Sequence, residues 1–240
     1  MDSSLYVGLS RQVVLRRAMD MSANNIANAQ TPGYRSQNPM FKEYMSEPGN
    51  KSRPLSMVED QGQYDTTTAG PVQFTGGTYD VALSGPGFMD VKTATGEIMY
   101  TRAGNFTIDR TGMLITSSGN QVGNVPILIP EDTKEVKILE DGSVTADGNN
   151  VGQITMTEFA NVQDLEPQGN GLYSSKSQGT PAIETGMKQG MVEGSNVNSI
   201  TEMSRMIEIS RAYEQTMTML KNESDRELGA IQRLSKMSGQ

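Results

Sequence analysis

This chain of 240 residues contains neither cysteine nor histidine. Their absence excludes thiol nucleophiles, Cys/His zinc sites, haem ligation by histidine and every catalytic triad that uses imidazole as its base. Carboxylate chemistry and Ser–Lys chemistry stay open. A chain without cysteine also suits a protein that passes through an oxidising compartment without cross-linking. These absences disfavour an enzyme without excluding one, and we expect a protein that is not an enzyme and has no cofactor and no metal.

Core-forming residues are scarce as well. Hydrophobic residues make up 35% of the chain, aromatic residues 5%, and tryptophan is absent. A typical globular domain has about 45–50% apolar residues in a count that includes glycine. With 25 glycines, the composition predicts an elongated molecule that is rich in turns and keeps apolar surface for its partners.

Basic residues are outnumbered, and the formal net charge is −8. This balance argues against a nucleic-acid partner, because phosphate binding needs a cationic face. No stretch reaches the roughly 18 apolar residues of a transmembrane helix, so we do not expect an integral membrane protein. The start of the chain lacks a basic segment followed by an apolar run and a cleavage site. We expect a cytoplasmic protein, or one exported without a cleaved signal peptide.

The N-terminal residues predict an amphipathic helix over residues 3–28. The helix should end around residues 28–31, because Pro32-Gly33 cannot continue it. Apolar residues recur at spacings of three and four, which is typical of a helix with one apolar stripe. The stripe consists of Leu5, Leu9, Leu15, Met19, Ala23 and Ile26.

The C-terminal residues predict a longer helix over residues 199–236. Ser199 and Glu202 have the spacing of a capping box, in which each side chain satisfies a free backbone N–H of the first turn. Alternate steps of three and four residues from Met203 define a seam of mostly apolar positions, which favours coiled-coil-like packing. The seam contains Met203, Met206, Ser210, Tyr213, Met217, Leu220, Ser224, Glu227, Ile231 and Leu234.

The residues in the middle of the chain predict β-structure. Short alternating runs between residues 66 and 190 are separated by Gly- and Asp-rich turns. Two related segments predict hairpins that turn at Gly112 and at Gly142, where glycine adopts positive φ at little cost. Residues 34–65 are polar and aperiodic, so we interpret them as an extended linker with a mobile loop at 46–54.

These patterns predict an α+β fold with paired, coiled-coil-like N- and C-terminal helices and an elongated all-β central domain. We expect a helical assembly domain from residues 1–31 with 199–240. An extended linker and β connector would comprise 32–75 with 176–198, and the central domain 76–175. Two helices cover only part of each other's stripes, so neighbouring copies could bury the remainder. The alternative is a monomer whose helices pack on the β domain.

Three motifs in order resemble the bacterial flagellar rod, hook and hook-filament-junction proteins. The first runs through residues 23–28 and 31–35, the second through 85–88 and 100–106, and the third through 195–198 and 202–214. The motif residues of the two ends are Asn24, Asn25, Asn28, Thr31, Gly33, Tyr34, Ser195, Asn196, Val197 and Asn198.

Within this family, residues 5–17 and 205–211 look most like the proximal-rod member. The distal-rod member is the nearest alternative, followed by other rod and hook members. Met89 departs from the family pattern, in which a second aromatic residue commonly follows Phe88.

The resemblance implies a structural subunit of the flagellar basal-body rod that polymerises through its terminal helices and forms part of the proximal drive shaft. Such a subunit is exported unfolded, without cleavage, by the flagellar type III export apparatus and assembles in the periplasm. Its partners would be copies of itself and the proximal and distal rod proteins. The helices would pack inside the tube, with the β domain facing outward.

Two hypotheses from other classes remain open. One is a periplasmic enzyme that acts on the cell wall, although no carboxylate pair or Ser–Lys pair stands out and imidazole is missing. The other is a monomeric adaptor that binds one partner through its helices and never polymerises.

Five polar motif positions have more than one interpretation. The amides of Asn25 and Asn196 could join the two motif clusters where the helices meet the linker, so that alanine there would impair assembly more than monomer stability. Local capping is the simpler interpretation: C-terminal capping by Asn28, and N-terminal capping by Asn196 and Asn198. Arg102 could bind a carboxylate of a neighbouring molecule or lie on the surface of a hairpin.

Overall fold

The computed structural model describes residues 2–46, 55–66 and 68–237. The chain forms two compact units. The helical unit comprises residues 1–27, 37–65 and 198–240, and the β unit comprises residues 28–36 and 66–197. Both terminal segments therefore contribute to the helical unit, and the β unit is built largely from the middle of the chain.

The helical unit contains two helices and one hairpin. Helix α1 spans Asp2–Ala27 and helix α2 spans Ser199–Met237, which confirms both predicted helices to within two residues. Strand β1 (Gln37–Ser46) pairs antiparallel with strand β2 (Leu55–Asp65), and both strands contact α1. Among the described residues, neither helix has the sustained apolar run that a membrane crossing requires.

The β1–β2 hairpin occupies part of the segment that the sequence analysis interprets as a linker. Its register shifts between Met40 and Phe41, which pair with Gly62 and Asp60. A shift of one residue moves the following side chains to the other face of a strand, so the alternation that marks a strand is broken. The loop predicted at 46–54 lies outside the described residues apart from Ser46.

The first turn of α2 is capped as one of the two sequence interpretations expects, by Asn198 and not by Ser199. The side-chain Oδ1 of Asn198 accepts hydrogen bonds from the N–H groups of Ile200 (3.1 Å) and Thr201 (3.2 Å). Asn198 is therefore the N-cap, and the capping box assigned to Ser199 is wrong. The Glu202 carboxylate instead accepts a 2.6 Å hydrogen bond from Ser22 Oγ of α1. The Glu202 carboxylate therefore binds a residue of the other helix, whereas the capping box places it on a backbone N–H of its own first turn.

The β unit is almost entirely strands and turns. A nine-stranded sheet contains the path β14-β15-β6-β5-β9-β8-β7, with β13 and β16 beside it, and smaller sheets form from β10-β11-β12, β17-β4 and β18-β3. One 3₁₀ turn spans Val162–Asp164. The remaining strands are β3 (Val72–Phe74), β4 (Val81–Ser84), β5 (Phe88–Lys92), β6 (Ile98–Thr101), β7 (Thr107–Ile108), β8 (Leu114–Ile115), β9 (Gln121–Val122), β10 (Val136–Ile138), β11 (Ser143–Ala146), β12 (Asn149–Gln153), β13 (Met156–Glu158), β14 (Leu165–Gly169), β15 (Leu172–Ser175), β16 (Thr180–Pro181), β17 (Gly186–Gln189) and β18 (Met191–Glu193).

Both predicted hairpins are present in the β unit. Strands β7 and β8 flank Gly112, and strands β10 and β11 flank Gly142. The two glycines have φ values of 80° and 83°, in the left-handed region that residues with a Cβ enter at a cost. The predicted turns are confirmed.

Two apolar clusters form the core of the β unit. The larger cluster is aliphatic except for Phe106, and the smaller one is mainly aromatic, with Phe88 in edge-to-face contact with Phe159 and Tyr173. The buried members of the larger cluster are Val81, Leu83, Met89, Phe106, Leu114, Val122, Ile127, Ile129, Val136, Ile138, Val144, Ile154 and Met187.

Candidate assembly interface

The two terminal helices contact each other in antiparallel register. Gln12 Nε2 donates a 2.8 Å hydrogen bond to the hydroxyl oxygen of Tyr213, and Ser22 meets Glu202 ten residues further along α1. Near the start of α1, a Cβ built on Gly8 would lie 2.6 Å from Leu220 Cδ2. Residue numbers therefore rise along α1 as they fall along α2.

Alternate positions of the predicted α2 seam lie near α1. Tyr213 and Leu220 contact α1 directly, and Met206 and Glu227, one heptad step before and after them, are half-buried. The other apolar seam positions, Met203, Met217 and Ile231, are exposed, whereas the side chain of Leu234 lies outside the described residues. The predicted seam is thus divided between a contacting row and a largely open row. Met217 borders both, because its Sδ accepts from Gln12 Nε2 of α1 at 2.9 Å while the side chain is 45% exposed.

The predicted α1 stripe is divided in the same way. Leu5, Leu15, Met19 and Ile26 are half-buried, while Leu9 and Ala23 are exposed. The buried positions supply the surface that packs inside the helical unit.

An uncovered apolar row on α1, which we call the α1 stripe, consists of Tyr6, Leu9 and Val13. Their exposed fractions lie between 50% and 59%. Spacings of three and four place them on one side of the helix. Sequence reasoning missed Tyr6 and Val13, although the same spacing rule identifies them once Leu9 is taken as their neighbour.

Helix α2 has a longer uncovered row, the α2 stripe, with exposed fractions between 45% and 77%. With 3.6 residues per turn, its members fall within an arc of about 140° around the helix axis, so they lie on one side of the helix. Sequence reasoning missed Ile200, Ile207 and Leu228. The α2 stripe consists of Ile200, Met203, Ile207, Met217, Leu228 and Ile231.

Helix α2 also extends beyond the end of α1. Because Leu220 lies opposite Gly8, the first residue of α1 lies about level with residue 226. About eleven residues of α2, roughly 17 Å of helix, then extend beyond α1. Leu228 and Ile231 belong to this overhang, so α1 of the same molecule does not cover them.

The motif asparagine of α1 has a buried role inside the helical unit. Asn25 is 1% exposed, its Oδ1 accepts from Gln37 N at 2.9 Å and its Nδ2 donates to Gln37 O at 3.0 Å. The amide thus pairs with one residue of β1 as a neighbouring strand would. Asn24 is exposed.

The remaining motif residues lie in the β unit apart from the cap Asn198. The Asn196 side chain accepts from Ser36 N at 2.7 Å and donates to Thr68 O at 2.8 Å. Its backbone N–H donates to Tyr34 O at 3.2 Å. The structure therefore brings residues of the first and third motifs together within this unit.

Two local hydrogen bonds involve other motif residues. Asn28 accepts from Thr31 through both its carbonyl and its side chain, each at 3.1 Å, which supports the local interpretation of Asn28. Ser195 Oγ accepts from Val197 N at 3.2 Å.

Gly33 is required by close approach as well as by its backbone conformation. Its N–H donates to Glu193 O at 2.8 Å, and its φ is 68°. A Cβ at this position would lie 2.5 Å from the backbone nitrogen of Ala103. Only glycine fits between these two backbone segments.

Both interpretations of Arg102 are wrong. The residue is 2% exposed, and its Nη1 lies 2.8 Å from Glu193 Oε2 of the same chain. Its guanidinium lies 5.2 Å from the centre of the Phe88 ring, and that of Arg35 lies 5.5 Å from the same ring. The pairing of Arg102 with Glu193 and the contact of Arg35 with Phe88 were not identified from the sequence, because the partners are distant along the chain.

The carboxylates of the acidic turn residues accept hydrogen bonds from backbone N–H groups and from a hydroxyl group. Asp141 accepts from the N–H and hydroxyl of Ser143, and Asp147 accepts from Glu135 N. Within the described ranges, no group of three or more acidic side chains is placed to hold a metal ion. These residues act as turn formers here.

Three flagellar family models match successive parts of the chain. The model described as flagella basal body rod protein matches residues 5–35, and the flagellar hook protein FlgE/F/G D1 domain matches residues 82–146. The flagellar basal body rod FlgEFG protein C-terminal model matches residues 188–232.

Curated relatives align over nearly the whole chain. The chain is 37% identical to the flagellar basal-body rod protein FlgF of Caulobacter vibrioides over 99% of this chain and 100% of the relative. It is 30% identical to FlgF of Escherichia coli over 98% and 99% of the two chains. It is 33% identical to FlgG of Bacillus subtilis over 88% and 91%. The two FlgF alignments span both terminal helices and the β unit.

Proposed function

Because this chain belongs to the family of flagellar basal-body rod proteins and groups there with FlgF, we propose that it polymerises through its two terminal helices into the proximal part of the rod. It is a structural subunit of the basal-body rod and not an enzyme. The finer proposal concerns which surfaces join neighbouring subunits and where the rod is built.

The observation that carries the proposal is the pair of uncovered stripes. Each helix packs one side against its own unit and leaves a second apolar row in solvent. Apolar surface gains about 25 cal/mol for each Å² removed from water, so association that covers both rows is favourable. The three- and four-residue spacing of the rows suits coiled-coil-like packing with helices of neighbouring subunits.

The partners we propose are copies of this chain and other rod proteins of the proximal and distal rod. Met203 and Met217 lie in the α2 stripe. Methionine is flexible and polarizable, so it adapts to differently shaped neighbours. A subunit that meets both its own copies and related chains needs such contacts.

We further propose a division of roles along the sequence. Residues 1–31 with 199–240 form the assembly part, 32–75 with 176–198 connect, and 76–175 form an outward-facing, elongated central domain. The subunit is delivered to the periplasm by the flagellar type III export apparatus without a cleaved signal peptide. The cysteine-free, acidic composition supports this route.

Charge insertion into the stripes tests the proposal. Val13→Glu and Ile207→Glu should abolish self-association measured by sedimentation velocity and should stop rod formation in cells that carry only the variant. Gln215→Glu adds the same charge at an exposed α2 position outside the stripe and should leave both unchanged. Stripe variants that associate like the wild type would contradict the proposal.

The monomeric adaptor makes a different prediction for truncated chains. Removing residues 1–28 and 205–240 should leave a folded β core that no longer associates if the chain is a rod subunit. An adaptor would be monomeric with or without these residues.

A further inference from the structure

The last part of the β unit is supplied by residues 191–197, which we call the closing segment. Its strand β18 pairs with β3, its Glu193 carbonyl accepts from Gly33 N, and its Asn196 binds Ser36 and Thr68. The partners of Glu193 and Asn196 precede them by 91 to 162 residues. The closing segment therefore joins the two stretches of chain, 28–36 and 66–197, that make up this unit.

A buried charge links the closing segment to the core. The side chains of Arg102 and Glu193 are each 1% exposed, and within the described ranges Glu193 is the acidic group paired with Arg102. Arginine cannot discharge by losing a proton, because its guanidinium stays protonated at any pH a protein tolerates. Burying Arg102 without Glu193 would leave an uncompensated charge, which is strongly destabilising.

The site of this charge lies at the aromatic cluster. The Arg102 guanidinium lies over the ring of Phe88, which contacts Phe159 and Tyr173. Arg102 also donates through Nη2 to Gly85 O. Closing the aromatic cluster over Phe88 therefore also encloses the guanidinium, and the enclosure is favourable only when the carboxylate is present.

We propose that Glu193 makes folding of the β unit conditional on arrival of the closing segment. A chain that is made or delivered from its N-terminus presents Arg102 long before Glu193. Until about four fifths of the sequence is available, the β unit stays open. The closing segment ends one residue before Asn198, the N-cap of α2. Helix α2 can therefore form directly after the segment that completes the β unit. The device acts within a single molecule and is independent of assembly.

Hydrogen exchange on the full-length monomer tests the proposal, with Glu193→Gln as the central variant. Near reporters are the amides of Gly33 and Gly194, and distant reporters are those of Leu114 and Ile154, which donate to Ile127 O and Gly142 O. All four amides should exchange about 100-fold faster in the variant, because the whole unit opens together. Faster exchange at Gly33 and Gly194 alone would overturn the proposal, because the Arg102–Glu193 ion pair would then stabilise only the residues close to it.

Two further variants keep the test decisive if Glu193→Gln does not fold. Glu166→Gln removes a carboxylate from an exposed pair with Lys176 in the same unit and should leave all four rates unchanged. The double variant Arg102→Met with Glu193→Leu removes both charges and should restore most of the protection. A double variant whose amides exchange as fast as those of Glu193→Gln would overturn the proposal, because packing and not charge compensation would then account for the protection.

Refolding order provides an independent readout on the wild-type chain. In pulse-labelled refolding, protection of Leu114 and Ile154 should arise in the same kinetic phase as protection of Gly194. Protection of Leu114 and Ile154 at least tenfold earlier would overturn the proposal, because the core would then close without the closing segment.

Discussion

Asn25 pairs with Gln37 through both ends of its amide, at 2.9 Å and 3.0 Å, in a site where the asparagine is 1% exposed. The motif residue thus ties the last turns of α1 to the first residue of β1. This intrachain role predicts effects that appear in the isolated monomer.

Asn25→Ala should lower the free energy of unfolding of the helical unit by about 1–3 kcal/mol, because the N–H and C=O of Gln37 lose their buried partners. Urea unfolding of the monomer followed by circular dichroism measures the loss. Asn222→Ala, at an exposed position of α2, is the control and should be nearly neutral. A normal monomer that fails only in assembly would instead support the joining role expected from the motif pattern.

Gly33→Ala should destabilise the β unit by more than Gly96→Ala. Both glycines have positive φ, at 68° and 86°, so both substitutions carry the left-handed strain. A Cβ at Gly96 meets nothing within 4 Å, whereas one at Gly33 meets the backbone of Ala103. The difference between the two unfolding free energies should be about 1–3 kcal/mol, as for overpacked sites. Equal losses would mean that the close approach at Gly33 relaxes easily.

Asn198→Ala should cost about 1 kcal/mol of stability, because the side chain caps two N–H groups of the first turn of α2. Ser199→Ala is the matched comparison one residue away and should be nearly silent. Thermal unfolding of the two variants under identical conditions separates them. A larger effect at Ser199 would restore the capping box predicted from the sequence.

Stability of the β unit should fall in acid. The hydroxyl of Thr185, together with the N–H groups of Glu184 and Ile183, lowers the pKa of Glu158 below its ordinary 4.5. The Thr111 hydroxyl and the Met113 N–H lower the pKa of Asp109, and the N–H and hydroxyl of Ser143 lower that of Asp141. A depressed folded-state pKa stabilises above the unfolded value and loses that contribution as pH falls through the folded value.

Urea midpoints measured from pH 6 to pH 3 should therefore decline below about pH 4.5, where these carboxylates begin to take up protons. Glu158→Gln has no carboxylate to protonate at this position, so its midpoint should decline less steeply over the same range. Identical slopes for the two proteins would remove Glu158 from the explanation.

The sequence by itself determined the α+β organisation, both helices and the two glycine hairpins. These features depend on local spacing: three and four residues for a helix face, and one glycine of positive φ for a tight turn. The order of the three motifs also pointed to the flagellar rod family, which the full-length relatives confirm.

Tertiary structure alone decided which side of each helix is covered. Leu9 and Leu15 satisfy the same periodic pattern, yet Leu9 is exposed and Leu15 is half-buried. Periodicity shows that a face exists, and only the packed partner selects which face is buried. The same reason explains the pairing of Arg102 with Glu193 and of Glu202 with Ser22: the partners lie 91 and 180 residues apart in sequence, and proximity of that kind arises only when the chain folds.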